Sequence, residues 1–191
     1  MRKKTGERKQ QILQALAMML EEPQGAKVTT AALAAKLGIS EAALYRHFAS
    51  KAQMFEGLIE FIESGIFGVI NRICENEERG LAQVQNIARL LLGFAEKNPG
   101  MTRVMMGDAL INENPRLQKR MNQFFDRVEL TLRQAMRLAA TQEPHLDEAA
   151  TVMRSNLLMN CLLGRMARFV KGGFAQPPTA GMQEQVNFIL L

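Results

Sequence analysis

A three-residue break, Gly38-Ile39-Ser40, separates two short stretches of helical periodicity, and it constrains this chain more than any other feature. Thr29 to Leu37 reads as one short helix and Ser40 to Phe48 as the next. Two helices joined so tightly must cross closely at a fixed angle, and each residue class answers one requirement. Ala34 is small where the helices meet. Gly38 has access to positive φ and so ends the first helix without steric cost. Ile39 plugs the corner, and Ser40 caps the second helix by accepting from its free N–H groups. Leu33, Leu37, Leu44 and Phe48 supply the shared apolar core.

A helix held in this way offers its N-terminal end to the DNA major groove. Its exposed face comprises Glu41, Ala42, Ala43, Tyr45, Arg46 and His47. The small alanines let the backbone approach the bases and can touch a thymine methyl. Glu41 has two readings, acceptor from a cytosine amino group or complement to the helix dipole, and both stay open. Thr29, Thr30, Tyr45, His47 and Lys51 can donate to phosphates. An ordinary helical hairpin would use the same turn, so charge has to decide. Up to Lys51 the chain carries nine Lys/Arg against four Asp/Glu; beyond it the count is fifteen against fifteen. The whole excess of +5 therefore lies with the hairpin, where a polyanion would need it. Arg2, Lys3, Lys4, Arg8 and Lys9 form a basic arm suited to phosphates or a minor groove.

The rest of the chain reads as helix, with no sustained strand alternation. Helices are expected over about 5–20, from Ser50 to about Cys74, over 81–97, 101–106, from Pro115 to about Ala140, from Pro144 to about Phe169, and through an apolar segment at 186–191. Pro23 and Gly25 end the first, and Gly172-Gly173 end the last long one. The fold class expected is all-α, with about nine helices. With 47% hydrophobic and 23% charged residues, the chain is globular. No apolar run approaches the ~20 residues needed to span a bilayer. The apolar stretch after the basic N-terminus is broken by Gln14 and Glu21, so no secretory signal is expected. Cys74 and Cys161 fall in apolar helical patterns and are expected to be buried thiols of a reducing cytosol. With two histidines, His47 and His145, and distant cysteines, metal-ligand spacing is absent. No phosphate-binding glycine loop or activated nucleophile is legible, so the chain is not read as an enzyme, and no cofactor is expected.

The run from Thr29 to Phe55, above all Gly-Ile-Ser-Glu-Ala-Ala-Leu-Tyr-Arg-His-Phe followed by Ala-Ser-Lys, resembles the DNA-binding half of TetR-family regulators. The resemblance implies a three-helix head over residues 1–50 and a helical domain over 51–191 that dimerises through its last two long helices. It also implies phosphate contacts at Tyr45, His47 and Lys51. Segments outside the head, Leu58 to Glu63, Leu90 to Phe94 and Asn98 to Arg103, resemble the nucleoid-occlusion branch of that family. That likeness implies a cytoplasmic, nucleoid-associated homodimer that binds palindromic double-stranded DNA. While bound, it would antagonise polymerisation of the tubulin-like division protein FtsZ, with no membrane and no small-molecule ligand involved. The implied FtsZ-facing positions, where the fourth and fifth helices meet, are Phe61, Leu90, Gly93, Lys97 and Asn98. Two departures stand out: Val69 occupies a position where a basic residue is expected, with Arg72 nearby, and Lys97 replaces an arginine. A lone Phe on a long helix is usually buried, so Phe61 serves a partner only if it lies on the surface. The alternative function is a ligand-responsive transcriptional repressor with the same head.

Overall fold

The computed structural model describes residues 5–22, 28–144 and 146–190. Nine α-helices run through them: α1 (Thr5–Leu20), α2 (Thr30–Lys36), α3 (Glu41–Tyr45), α4 (Lys51–Asn76), α5 (Gly80–Lys97), α6 (Pro99–Met105), α7 (Pro115–Gln142), α8 (Thr151–Lys171) and α9 (Met182–Leu190). No strand occurs among the described residues. The helix starts follow from their caps. The side chains of Thr29, Ser40 and Ser50 accept from the backbone N–H groups of Ala32, Ala43 and Gln53 at 3.1, 3.2 and 3.2 Å. Asn114 accepts from Arg116 N–H at 3.1 Å, with Pro115 in the first helical position.

One start differs from the sequence reading. Pro144 does not open α8. Asp147 caps a single 3₁₀ turn, Glu148–Ala150, by accepting from Ala149 N–H at 2.9 Å, and α8 begins only at Thr151. The short side-chain cap outcompetes proline's preference for a helix start. The second helix of the hairpin is also shorter than expected. It ends at Tyr45, because Arg46 and His47 turn the chain so that Phe48 can tuck back into the core. The expected stops at Pro23 and Gly25, the arm residues Arg2, Lys3 and Lys4, and His145 lie outside the described residues.

One apolar cluster runs through the molecule. Ile12, Leu16, Leu33 and Leu44 begin it, Leu58, Ile62 and Ile66 of α4 carry it onward, and α5, α7 and α8 close around it with Leu91, Leu132 and Leu162. Ion pairs flank the cluster between α4 and α7. Arg120 meets Glu63 through two hydrogen bonds, at 3.1 and 2.6 Å, and Arg116 meets Glu56 at 2.7 Å. The hydrogen bond to Glu63 raises the Arg120 pKa further above its already high value, so the guanidinium stays charged. The cysteines correct the sequence reading. Cys74 is exposed and Cys161 is half-buried. Ile62, Ile66 and Ile70 set the buried face of α4, and Cys74 falls outside it in the final turn.

Candidate nucleic-acid interface

The hairpin takes the geometry its residue types require. Gly38 sits at φ +64°, and two hydrogen bonds close the end of α2, from Gly38 N–H to Ala35 O and from Ile39 N–H to Ala34 O, both at 3.0 Å. This is a Schellman closure, in which glycine tolerates the left-handed conformation that other residues resist. Leu33, Ala34 and Leu44 are buried at 1%, 3% and 0% exposure, and they lock α2 against α3 from the inside.

What remains outside is a compact polar surface. Thr29, Glu41, Ala42, Tyr45 and Arg46 are exposed, and Thr30, Ala43 and His47 are half-buried beside them. Thr30 Oγ1 donates to Glu41 Oε2 at 2.8 Å, and Tyr45 Oη lies 3.4 Å from Thr30 Oγ1. The hydroxyls of Thr29 and Ser40 accept from backbone N–H groups and keep their own protons available for donation. The Nδ1 atom of His47 is buried without a hydrogen-bond partner. Lys9 rests over the ring of Phe48 at 5.5 Å, and Arg8 donates to Gln11 at 3.0 Å, so these two basic side chains of the expected arm are folded onto α1 and its neighbour.

Lys51 stands apart from the other expected phosphate donors. Its ammonium pairs with Glu113 in the loop before α7 and lies 5.7 Å from the centre of the Phe55 ring. Nothing in the local sequence pattern around Lys51 points to Glu113, which is distant in the chain. Arg103 is also internally engaged. Its Nε donates to Asp108 at 2.7 Å, and Nη1 donates to the carbonyl of Leu20 at 3.2 Å, holding the C-terminal end of α1.

The second group of expected residues lies on α4 and α5. Phe61 is 48% exposed. It shares a solvent-facing stripe of α4 with Gly65, Gly68 and Arg72, all exposed. This stripe leads to an open groove of about 400 Å³ lined by Val69, Arg72, Ile73, Asn76, Glu77 and, from α5, Asn86. Leu90 and Gly93 are half-buried on α5, and Lys97 is exposed at its end. Asn98 links α5 to α6; its Nδ2 donates to Phe94 O at 2.8 Å, and its carbonyl accepts from Thr102.

An N-terminal Schellman-closed helix pair with an exposed polar face, set on a larger helical domain, defines a DNA-binding regulator of the TetR type. A family model for bacterial regulatory proteins of the tetR family matches residues 12–58, and a second, for the tetracyclin repressor-like C-terminal domain, matches residues 78–191. Solved structures agree on the fold. A TetR transcription regulator from Haloarcula marismortui superposes with a TM-score of 0.79 at 16% identity, covering 97% of each chain. PfmR from Thermus thermophilus gives 0.76 at 20% identity, covering 94% of this chain and 96% of that one.

More similar relatives narrow the class. The nucleoid occlusion factor SlmA of Shewanella pealeana is 48% identical over 182 residues, 95% of this chain and 92% of that protein. SlmA of Alteromonas mediterranea is 49% identical over 183 residues, 96% and 93% of the two chains. The chain belongs to the SlmA family of nucleoid occlusion factors, DNA-binding proteins of TetR fold rather than enzymes.

Proposed function

We propose that the chain acts as a cytoplasmic, nucleoid-associated homodimer that binds palindromic double-stranded DNA and, while bound, antagonises FtsZ polymerisation. Residues 1–50 form the DNA head in this reading, and residues 51–191 the dimerising and partner-binding domain. Ala42, Ala43 and Arg46 face the bases; Thr29, Ser40, Tyr45 and His47 stand where phosphates pass. In a symmetric dimer the two copies of α3 would lie ~34 Å apart or a multiple of it, facing successive major grooves. Support for self-association comes from apolar side chains standing in solvent on the last two long helices. Leu130 and Leu138 of α7 and Met153 and Leu157 of α8 are 50%, 36%, 69% and 54% exposed.

Phe61 is the observation that carries the partner half. Apolar helix positions normally face the core, yet this ring stands in solvent on the stripe of α4 that reaches, at Arg72, a groove between α4 and α5. Solvent-exposed aromatics are common anchors for protein partners. Phe61, Leu90, Gly93, Lys97 and Asn98 form the FtsZ-facing set. The test is sedimentation of FtsZ polymers with this protein, in the presence and absence of operator duplex. Polymer loss is expected with the duplex. No operator-dependent effect would return the reading to a ligand-responsive repressor.

A further inference from the structure

Glu41, the first residue of α3, could in principle turn its carboxylate toward base edges or back toward α2. It turns toward α2, where it accepts the hydroxyl proton of Thr30 at 2.8 Å. Thr30 in turn accepts from Tyr45, four residues further along the same helix as Glu41, at 3.4 Å. The three side chains thus tie the first turn of α2 to both ends of α3. They do so on the solvent side, opposite Leu33, Ala34 and Leu44.

The proton inventory decides what each group can offer DNA. An ionised carboxylate only accepts, so the single proton of Thr30 is committed to Glu41. A hydroxyl–carboxylate bond of 2.8 Å is charge-assisted, whereas the 3.4 Å contact from Tyr45 is long and weak. When a phosphate arrives, the Tyr45 proton is the one released to it, while Thr30 stays tied. The bond through Oε2 holds the Glu41 carboxylate turned toward α2, so reaching a cytosine amino group would require it to leave that orientation.

We infer that Glu41 is a positioning residue and not a base reader: it sets the register of α3 against α2 through Thr30. Base discrimination then falls to Ala42, Ala43 and Arg46. The inference rests on DNA binding through α3, so its test begins with the unaltered protein selecting a preferred duplex from a random-sequence pool. Glu41→Gln and Glu41→Ala remove the same charge, but only Gln keeps an acceptor for Thr30. Both variants should select the same sequence as the unaltered protein. Glu41→Gln should bind it about three- to tenfold more tightly than Glu41→Ala, the range of one hydrogen bond. A Thr30→Val background, with folding checked by thermal melting, should erase that difference. A changed base preference at one operator position in either variant overturns the inference, as does equal affinity of the two variants with Thr30 in place. Failure of the unaltered protein to select any sequence would remove the DNA reading beneath it.

Discussion

A Cβ built on Gly100 would overlap the carbonyl oxygen of Ala17, and it would also come within 3.1 Å of the Leu20 side chain. Helices α1 and α6 therefore meet backbone to backbone, and this contact joins the hairpin's supporting helix to the larger domain. Gly100→Ala forces the two helices apart and should destabilise the fold by about 1–3 kcal/mol, the usual range for overpacking. Gly93 is the control, because a Cβ there meets nothing within 4 Å. Gly93→Ala, near the C-terminal end of α5, should raise stability by about 0.5–1 kcal/mol through lower backbone entropy in the unfolded chain. Thermal and urea unfolding of the two variants should move in opposite directions.

The pairing of Lys51 with Glu113 gives a second prediction. If Lys51 serves a phosphate, DNA must draw its ammonium away from that carboxylate. Glu113→Gln removes the intramolecular competitor and should tighten duplex binding several-fold at low salt. The cost in stability should be about 1–3 kcal/mol, since the pair is largely shielded from water. Fluorescence anisotropy at two salt concentrations measures the first effect. An unchanged affinity would show that Lys51 is not a phosphate ligand.

Arg46 separates backbone binding from base reading. Operator affinity as a whole should fall steeply with salt, and a slope near zero would contradict an electrostatic interface. Were Arg46 to hold a phosphate, Arg46→Ala would flatten the slope by about one unit and weaken all sequences alike. As a base reader, the expected role, its loss relaxes one operator position by about 1–3 kcal/mol.

For the partner face, Phe61→Ala should reduce FtsZ binding at least tenfold while leaving DNA binding intact. Its effect on stability should be small, because half of the ring is already in water. Lys97→Ala, at an exposed position, should weaken FtsZ binding in the same selective way. Loss of DNA and FtsZ binding together in either variant would mean misfolding instead.

Local chemistry was legible in the sequence where neighbours in the chain are neighbours in space. Gly38 at the α2 stop, Ser40 and Ser50 at helix starts, Pro115 at the opening of α7 and the apolar spacing of Leu33, Leu37 and Leu44 all act within one or two turns. Their conformational demands can therefore be read from the residue types alone. The unequal charge of the two parts of the chain was legible for the same reason, since it needs no geometry. Where the reading of a helix start failed, the competing contact was also local but weaker in signal, with Asp147 displacing the start expected at Pro144.

Only the tertiary structure decided which side chains are free to act. Lys51 reads from sequence as a free phosphate donor, yet Glu113 engages it, and Asp108 and the end of α1 engage Arg103. Phe61 and Cys74 sit in apolar helical patterns, yet the packing of α4 leaves both in solvent. Glu41 reads from sequence as a base acceptor or a complement to the helix dipole, and the hydroxyl it accepts from belongs to Thr30 on another helix. Exposure and pairing depend on which faces other helices cover, and those contacts join residues far apart in the chain.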